Sequence, residues 1–458
     1  MKSKIYLVAF TLCIFGIKNT TNAQFSILLN FTNTIGPYLG ATPQADQNLI
    51  SIGDGYLYGI TSGGGAGIGG TVGVIFKVKP DGTEYTILKQ FDGGKDGGDN
   101  NIPNGRGPNG SLYFDGTFLY ATTVKGGTNG TGTIVKIKPD GTGFAKIYEF
   151  DRYKGGTKCT LVSDGTFLYG NNFKIKPDGT GYADFAYACT GSWLYDGTFL
   201  YGLGYENSVY GQFGTVFKVK PDGTGYVVLS YFDKYTGKPN NNTLITDGTY
   251  LYGACEGDNS NSFGCIFKVK TDGTDFIKLF AGIKPKGRLT MNGTDLYGMT
   301  REGGKNNMGT IFKITAGVEY SILHSLNLGA CYPSGSLLSV GNTLYGMTAS
   351  GGSTYENRYG GIIKYELQAT GLKSIYKSEN IAQIYPNPSN GNFIVEMNET
   401  SKNSNIEIYN TVGQKLYSQK INASKTAINT SLKAGTYYIR IVNVADNKMQ
   451  CDYLLISE

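Results

Sequence analysis

The stretch GTVFKVKPDGTGYVVL, Gly214–Leu229, has close copies at Gly73–Leu88 (GVIFKVKPDGTEYTIL) and Gly132–Ile147 (GTIVKIKPDGTGFAKI). Within it Phe217 and Val219 share one face and Lys218 and Lys220 the other, the period-2 pattern of a partly exposed strand. Pro221-Asp222-Gly223 ends that strand, because proline withholds a donor and Asp-Gly tolerates the positive φ of a tight turn. The same Pro-Asp-Gly closes strands at Pro80, Pro139 and Pro177. It becomes Thr271-Asp272-Gly273 in one copy and Thr315-Ala316-Gly317 in another. A position that keeps glycine but can lose its carboxylate is a turn rather than a calcium or phosphate site.

Working outward, Leu-Tyr-Gly stands at Leu57, Leu168, Leu200, Leu251, Leu296 and Leu344, and Leu-Tyr-Ala at Leu119. These seven copies recur about every 48 residues, the period of a propeller blade. Residues 111–150 give the unit: SLYFD, an Asp-Gly turn, FLYATT, a glycine-rich loop, TIVKIKP, a second Asp-Gly turn and FAKIYEF. Four short strands per unit and no helical periodicity predict an all-β chain, a seven-bladed β-propeller over residues 24–376. FSILLNF (Phe25–Phe31) is a spare copy of the fourth strand, able to complete the last blade and remove two free edges. LKSIY (Leu372–Tyr376) competes for that place. Ala121 in place of one Leu-Tyr-Gly glycine says that this site needs a small side chain rather than a special φ.

The N-terminus reads as a secretory signal peptide over 1–23. Lys2 and Lys4 precede an apolar run, Ile5–Ile17, and Thr21-Asn22-Ala23 offers small residues for cleavage. No later stretch approaches the ~20 apolar residues of a membrane helix. The net charge is +6, but the lysines are spread one or two per repeat with no basic cluster, so a nucleic-acid partner is not expected. Beyond the leader there are six cysteines without a CxxC, and the single histidine, His324, sits in the strand-like YSILHSL. No metal site is expected from these. Calcium remains the only cofactor worth weighing, at Asp92, Asp96 and Asp99, whose spacing fits no ligand loop. In an exported chain Cys255 and Cys265 flank one hairpin loop and are expected to form a disulfide, with Cys159 and Cys189 a second pair.

The repeats resemble the GloVer family of tandem repeats, whose units read Leu-Tyr-Gly-x-Thr, Gly-Gly, Gly-Thr-Val-Phe-Lys and Asp-Gly-Thr. LYGITSGGG (Leu57–Gly65), LYATTVKGG (Leu119–Gly127), LYGMTREGG (Leu296–Gly304) and LYGMTASGG (Leu344–Gly352) carry the match, and the third to fifth units lack the Gly-Gly. The resemblance implies a propeller-like surface protein and no catalytic residues. After a linker at 377–383, IYPNPSNGNFIVEM (Ile384–Met397), Gly413-Gln414 and Leu432-x-x-Gly435-x-Tyr437 resemble the type A C-terminal sorting domain of the type IX secretion system. That resemblance implies a small β-sandwich over 384–458, the secretion machinery as partner, and a secreted or outer-surface location in a Gram-negative bacterium.

In a four-strand meander the Asp-Gly turns lie on one face. The longer second-to-third and blade-to-blade connections lie on the other, where binding residues concentrate. The candidates there are Asp96, Asp99, Asn100, Asn104, Arg106, Tyr205, Tyr210, Arg301, Glu302, Tyr355 and Arg358. Tyrosine faces stack on sugars, and Asn, Asp and Arg pair with hydroxyls. The expectation is a non-catalytic binding or adhesion module for a carbohydrate or protein ligand. The alternative is a carbohydrate-active lyase or glycoside hydrolase on the same face.

Overall fold

The computed structural model describes residues 24–44, 47–65, 72–92, 102–151, 159–204, 214–233, 236, 238–239, 243–256, 264–315, 319–351, 359–367, 377–378, 382–397, 404–409, 415–443 and 448–457. Two compact units result, 1–367 and 368–458. Among the described residues both are built from strands alone.

The first unit contains, among the described residues, seven antiparallel sheets that follow one another along the chain. The second sheet is typical: Ile102–Phe114, Leu119–Gly127, Thr133–Ile137 and Ala145–Glu149 pair in chain order. The fifth has an additional short strand, Lys238–Pro239, beside Tyr250–Glu256. In the seventh, Cys331–Val340, Thr343–Ser350 and Gly361–Glu366 supply three strands, and the fourth is Phe25–Asn30 from the other end of the chain. The spare strand therefore takes the place its sequence implies. Its competitor, 372–376, lies outside the described residues.

Each Leu-Tyr-Gly strand is buried because both of its faces are covered. Leu57, Tyr58 and Ile60 expose no surface, and neither do Val74, Phe76 and Val78 on the strand beside them. Apolar clusters fill the gaps between consecutive sheets. One joins Tyr58, Ile60 and Ile75 of the first sheet to Leu112, Leu119 and Val135 of the second. Another joins Tyr345, Met347 and Ile362 of the seventh sheet to Leu57 and Phe76 of the first. The first and last sheets thus pack together, as a ring requires.

The glycine of Leu-Tyr-Gly has the role that its alanine copy suggests. Gly59, Gly253 and Gly298 face Phe76, Phe267 and Phe312 across the strand pair. A Cβ on any of the three would stand 2.4 Å from the phenylalanine ring. At Ala121 the facing residue is Val135, so the smaller partner leaves room for the methyl. A β-bulge recurs in the third-to-fourth pairing, at Ile75/Phe76, Ile134/Val135, Val216/Phe217, Ile266/Phe267 and Ile311/Phe312. A bulge increases local strand twist, and its recurrence at one position repeats that twist in each of these sheets.

The second unit pairs a five-stranded sheet with a three-stranded one. Phe393, Val395 and Ile428 of the smaller sheet share one core with Ile406, Ile408, Ile439, Ile441 and Leu454 of the larger. Alternation along IYPNPSNGNFIVEM produces this face: Phe393, Val395 and Met397 are buried, while Ile394 and Glu396 are half exposed.

Candidate functional site

The Asp-Gly face is occupied by its own architecture. In the third-to-fourth turns the carboxylates of Asp81, Asp140, Asp178, Asp222 and Asp272 accept from the backbone N–H and the hydroxyl of the threonine two residues on, at 2.6–2.9 Å. Those bonds hold each of the five carboxyls below the ordinary aspartate value. The glycines that follow, such as Gly82 at φ +89°, lie in the left-handed region.

The first-to-second turns hold a second set, Asp115, Asp164, Asp196 and Asp247. Each accepts the hydroxyl of the Leu-Tyr-Gly/Ala tyrosine: Tyr120 and Tyr169 at 2.7 Å, Tyr201 and Tyr252 at 2.8 Å. Backbone N–H groups, Thr117 and Phe118 at Asp115 for example, add two more bonds. Burial raises the Asp115 carboxyl, but the Phe118 N–H, the Tyr120 hydroxyl and the Thr117 N–H outweigh it, and the net direction is down. Burial, with the carboxylate next, pushes the tyrosines up.

The lysines of the repeat are also engaged. Lys77, Lys136 and Lys174 donate to the Pro139, Pro177 and Pro221 carbonyls of the next sheet at 3.3 Å, and Lys218 to that of Thr271 at 2.8 Å. Their ammonium groups lie 4.7–4.9 Å from the rings of Tyr56, Phe118, Phe167 and Phe199. The positive charge is spent on linking sheets.

Of the candidates in the long connections, Asp96, Asp99, Asn100, Tyr205, Tyr210, Tyr355 and Arg358 lie outside the described residues. Of the others, the Asn104 carbonyl accepts from the Thr133 hydroxyl at 3.3 Å, and Arg106 sits in the paired edge opposite Lys125. Arg301 is exposed, with its N–H on the Lys284 carbonyl at 3.2 Å. Glu302 forms an ion pair with Lys284 at 2.8 Å. That pair borders a groove of about 510 Å³ between the fifth and sixth sheets, with Asn307, Phe280, Tyr320 and Ile322 among its lining residues. Phe280 and Tyr320 stack with centroids 4.0 Å apart and planes 9° off parallel. Of the groove's residues, sequence reasoning named only Glu302.

Cys255 and Cys265 stand directly opposite each other on paired strands, as their hairpin position implies, but as free thiols. The expected bond is not seen in the described state. Register alone brings the sulfurs together, and the Cys265 thiol donates to the Thr236 carbonyl at 3.3 Å. Burial raises the Cys255 thiol, while contact with Cys255 lowers that of Cys265. Cys159 and Cys189 are likewise buried and show no disulfide, with Cys189 donating to the Gly191 carbonyl at 3.2 Å. His324 stacks on Phe25 at 3.9 Å, and burial lowers its pKa. Its contact is with the spare strand.

A second cavity was not anticipated. It holds about 230 Å³, and residues of the first six sheets line it, among them Asn48, Ser111, Thr160, Ser192, Thr243 and Arg288. All of these residues but Thr243 belong to a run of hydrogen bonds between inner strands. The Asn48 N–H donates to Ser111 Oγ at 2.9 Å, Ser111 N–H to Thr160 Oγ1 at 2.8 Å and Thr160 N–H to Ser192 Oγ at 2.8 Å. Arg288 N–H donates to Ser336 Oγ at 2.7 Å, and Ser336 N–H to Asn48 Oδ1, which joins the seventh sheet to the first. The sequence signal was a polar residue before leucine, as in Gly110-Ser111-Leu112, Gly287-Arg288-Leu289 and Gly335-Ser336-Leu337.

Two family models match the chain. Residues 188–405 match the Gloeobacter/Verrucomicrobia repeat, and residues 383–451 match the secretion system C-terminal sorting domain. Residues 188–405 thus carry the repeat of this family, and residues 383–451 a type IX secretion sorting tail. That tail marks the chain for export to the cell surface or beyond. The repeat match begins at 188, although the Leu-Tyr-Gly/Ala motif starts at Leu57. No curated protein matches the chain. Among solved structures it is similar to PorZ, a surface component of the type IX secretion system of Porphyromonas gingivalis, at 14% identity and TM-score 0.44 over 91% of this chain. The chain spans 60% of the PorZ chain. An oligogalacturonate lyase from Vibrio parahaemolyticus aligns at 10% identity and TM-score 0.49, covering 76% of this chain and 97% of that one. The Niastella koreensis GH74 enzyme aligns at 12% and 0.47, covering 95% and 75%. No helix among the described residues is long and apolar enough to cross a membrane.

Proposed function

We propose that this protein is a seven-bladed β-propeller with a β-sandwich sorting tail, delivered to the outer surface of a Gram-negative cell, where it acts as a non-catalytic carbohydrate-binding module. The blade reading rests on seven sheets in chain order and on the hydrogen bond that links the last to the first. Delivery rests on the sorting domain.

The observation that carries the ligand class is the groove between the fifth and sixth sheets. It lies on the long-connection face, between the sheet-to-sheet link at Lys284 and the loop from Thr300 to Thr310. One wall is the Phe280–Tyr320 stack, and one rim is the Lys284–Glu302 pair with Asn307. An apolar ring surface beside a few oriented polar groups is the pattern that receives a sugar: C–H faces against the aromatic wall, hydroxyls on the carboxylate, ammonium and amide. The Asp-Gly face offers less, since its carboxylates already hold their own turns.

The test is a glycan array probed with the whole protein, then with Tyr320→Ala and Glu302→Gln. The expected result is a family of hits whose affinity falls at least tenfold in both variants. Hits retained by both, or lost on altering Asp140 and Asp222 instead, would place the ligand elsewhere.

A further inference from the structure

Arg288 is the exception among the inner strands. At the corresponding position the other six sheets carry Asn48, Ser111, Thr160, Ser192, Thr243 and Ser336, each with a side-chain oxygen. Where the bonds are seen, that oxygen accepts the backbone N–H of the neighbouring inner strand. Arginine has five donors and no acceptor, so Arg288 cannot supply the oxygen that these links use. It places a fixed positive charge inside the cavity.

Among the described residues nothing answers that charge. Arg288 is the only charged residue lining the cavity among the described residues. No carboxylate pairs with it among the described residues, and its pKa is lowered by burial alone, with no charged neighbour contributing. Arg288 is half-buried; a cation partly withdrawn from water without a partner carries a cost, and structural arginines are ordinarily paired. The surroundings suit an oxyanion. The Thr160 and Ser192 oxygens each accept a backbone bond, and no acceptor among the described residues takes their hydroxyl protons. Those protons are free to point inward. A planar guanidinium with nearby hydroxyl donors, in a space of about 230 Å³, matches a carboxylate or phosphate group.

We propose that the central cavity is a binding site for a small oxyanion, a carboxylate or a phosphate group, anchored by Arg288. The site is separate from the groove and does not depend on the groove's ligand. It also differs from a structural arginine in what its removal does: Arg288→Ser supplies the acceptor that the other six positions have, so the ring is kept or strengthened while the anion loses its anchor.

Calorimetric titration at constant ionic strength tests this, with inorganic phosphate and glucuronate as separate probes and chloride as the reference. The expected result is saturable binding of phosphate, glucuronate or both by the whole protein. The affinity should fall at least tenfold in Arg288→Ser and less in Arg288→Lys, which keeps the charge but not the fork. Preference between the probes tells phosphate from carboxylate. Arg288→Ser should melt no lower than the unsubstituted protein without anion. If neither probe binds, or if Arg288→Ser and Arg288→Lys bind as tightly as the unsubstituted protein, the proposal fails.

Discussion

At the scale of single residues, the repeat is a set of matched pairs rather than a set of ligands. Gly59 needs no left-handed φ; it needs the space that Phe76 takes. Gly59→Ala should therefore cost ~1–3 kcal/mol through overpacking. Adding Phe76→Val should recover part of that loss, because Ala121 opposite Val135 already shows the compatible pair. A double-mutant cycle from denaturant melts measures the coupling, and strictly additive effects would contradict it. The tyrosine–aspartate pairs make a pH prediction. Asp115, Asp164, Asp196 and Asp247 all have pKa values lowered on folding. The native state thus binds fewer protons, so these groups stabilise it above the unfolded aspartate value of about 3.9, and the contribution is lost as pH falls through and below that value. Tyr120→Phe should remove about 1–2 kcal/mol at neutral pH and less at pH 3, read as the shift in melting midpoint between the two conditions.

At the scale of elements, the strand Phe25–Asn30 is the closure. Phe31, which follows it, is buried, and Leu29 packs in the core shared by the first and last sheets. Removing residues 24–30 should leave Gly361–Glu366 as a bare edge, lower the melting midpoint by ten degrees or more, and promote self-association. A monomer as stable as the full chain would contradict that role. The hairpin cysteines make a separate prediction. Cys255 and Cys265 are in register, where strand geometry gives a Cα separation of about 4.5–5.5 Å, inside the range a bridge accepts. After export into an oxidising medium, mass mapping without reductant should find the Cys255–Cys265 peptide pair crosslinked. Two free thiols there would mean that the described state persists.

At the scale of the whole molecule, what the sequence made legible was whatever one repeat states by itself. The Asp-Gly turns, the strand order and the spare strand all follow from patterns within about 48 residues. What stayed hidden needs residues from different repeats. The Ser336 N–H finds Asn48 across 288 positions, and Phe280 and Tyr320 meet from neighbouring outer strands. Lys77 reads in sequence as an exposed strand residue, yet its carbonyl partner is Pro139, in the next unit. Arg288 escaped for a related reason: its oddity appears only once the other six positions are superposed on it.

The central claim is that this repeat keeps one face for architecture and the other for a ligand. Hydrogen–deuterium exchange, with and without the best ligand from the array, tests it most directly. The account predicts protection confined to segments 280–284 and 300–309, with the turns at 81–83, 140–142 and 222–224 exchanging at unchanged rates. Protection of those turns, with none at the groove, would contradict it.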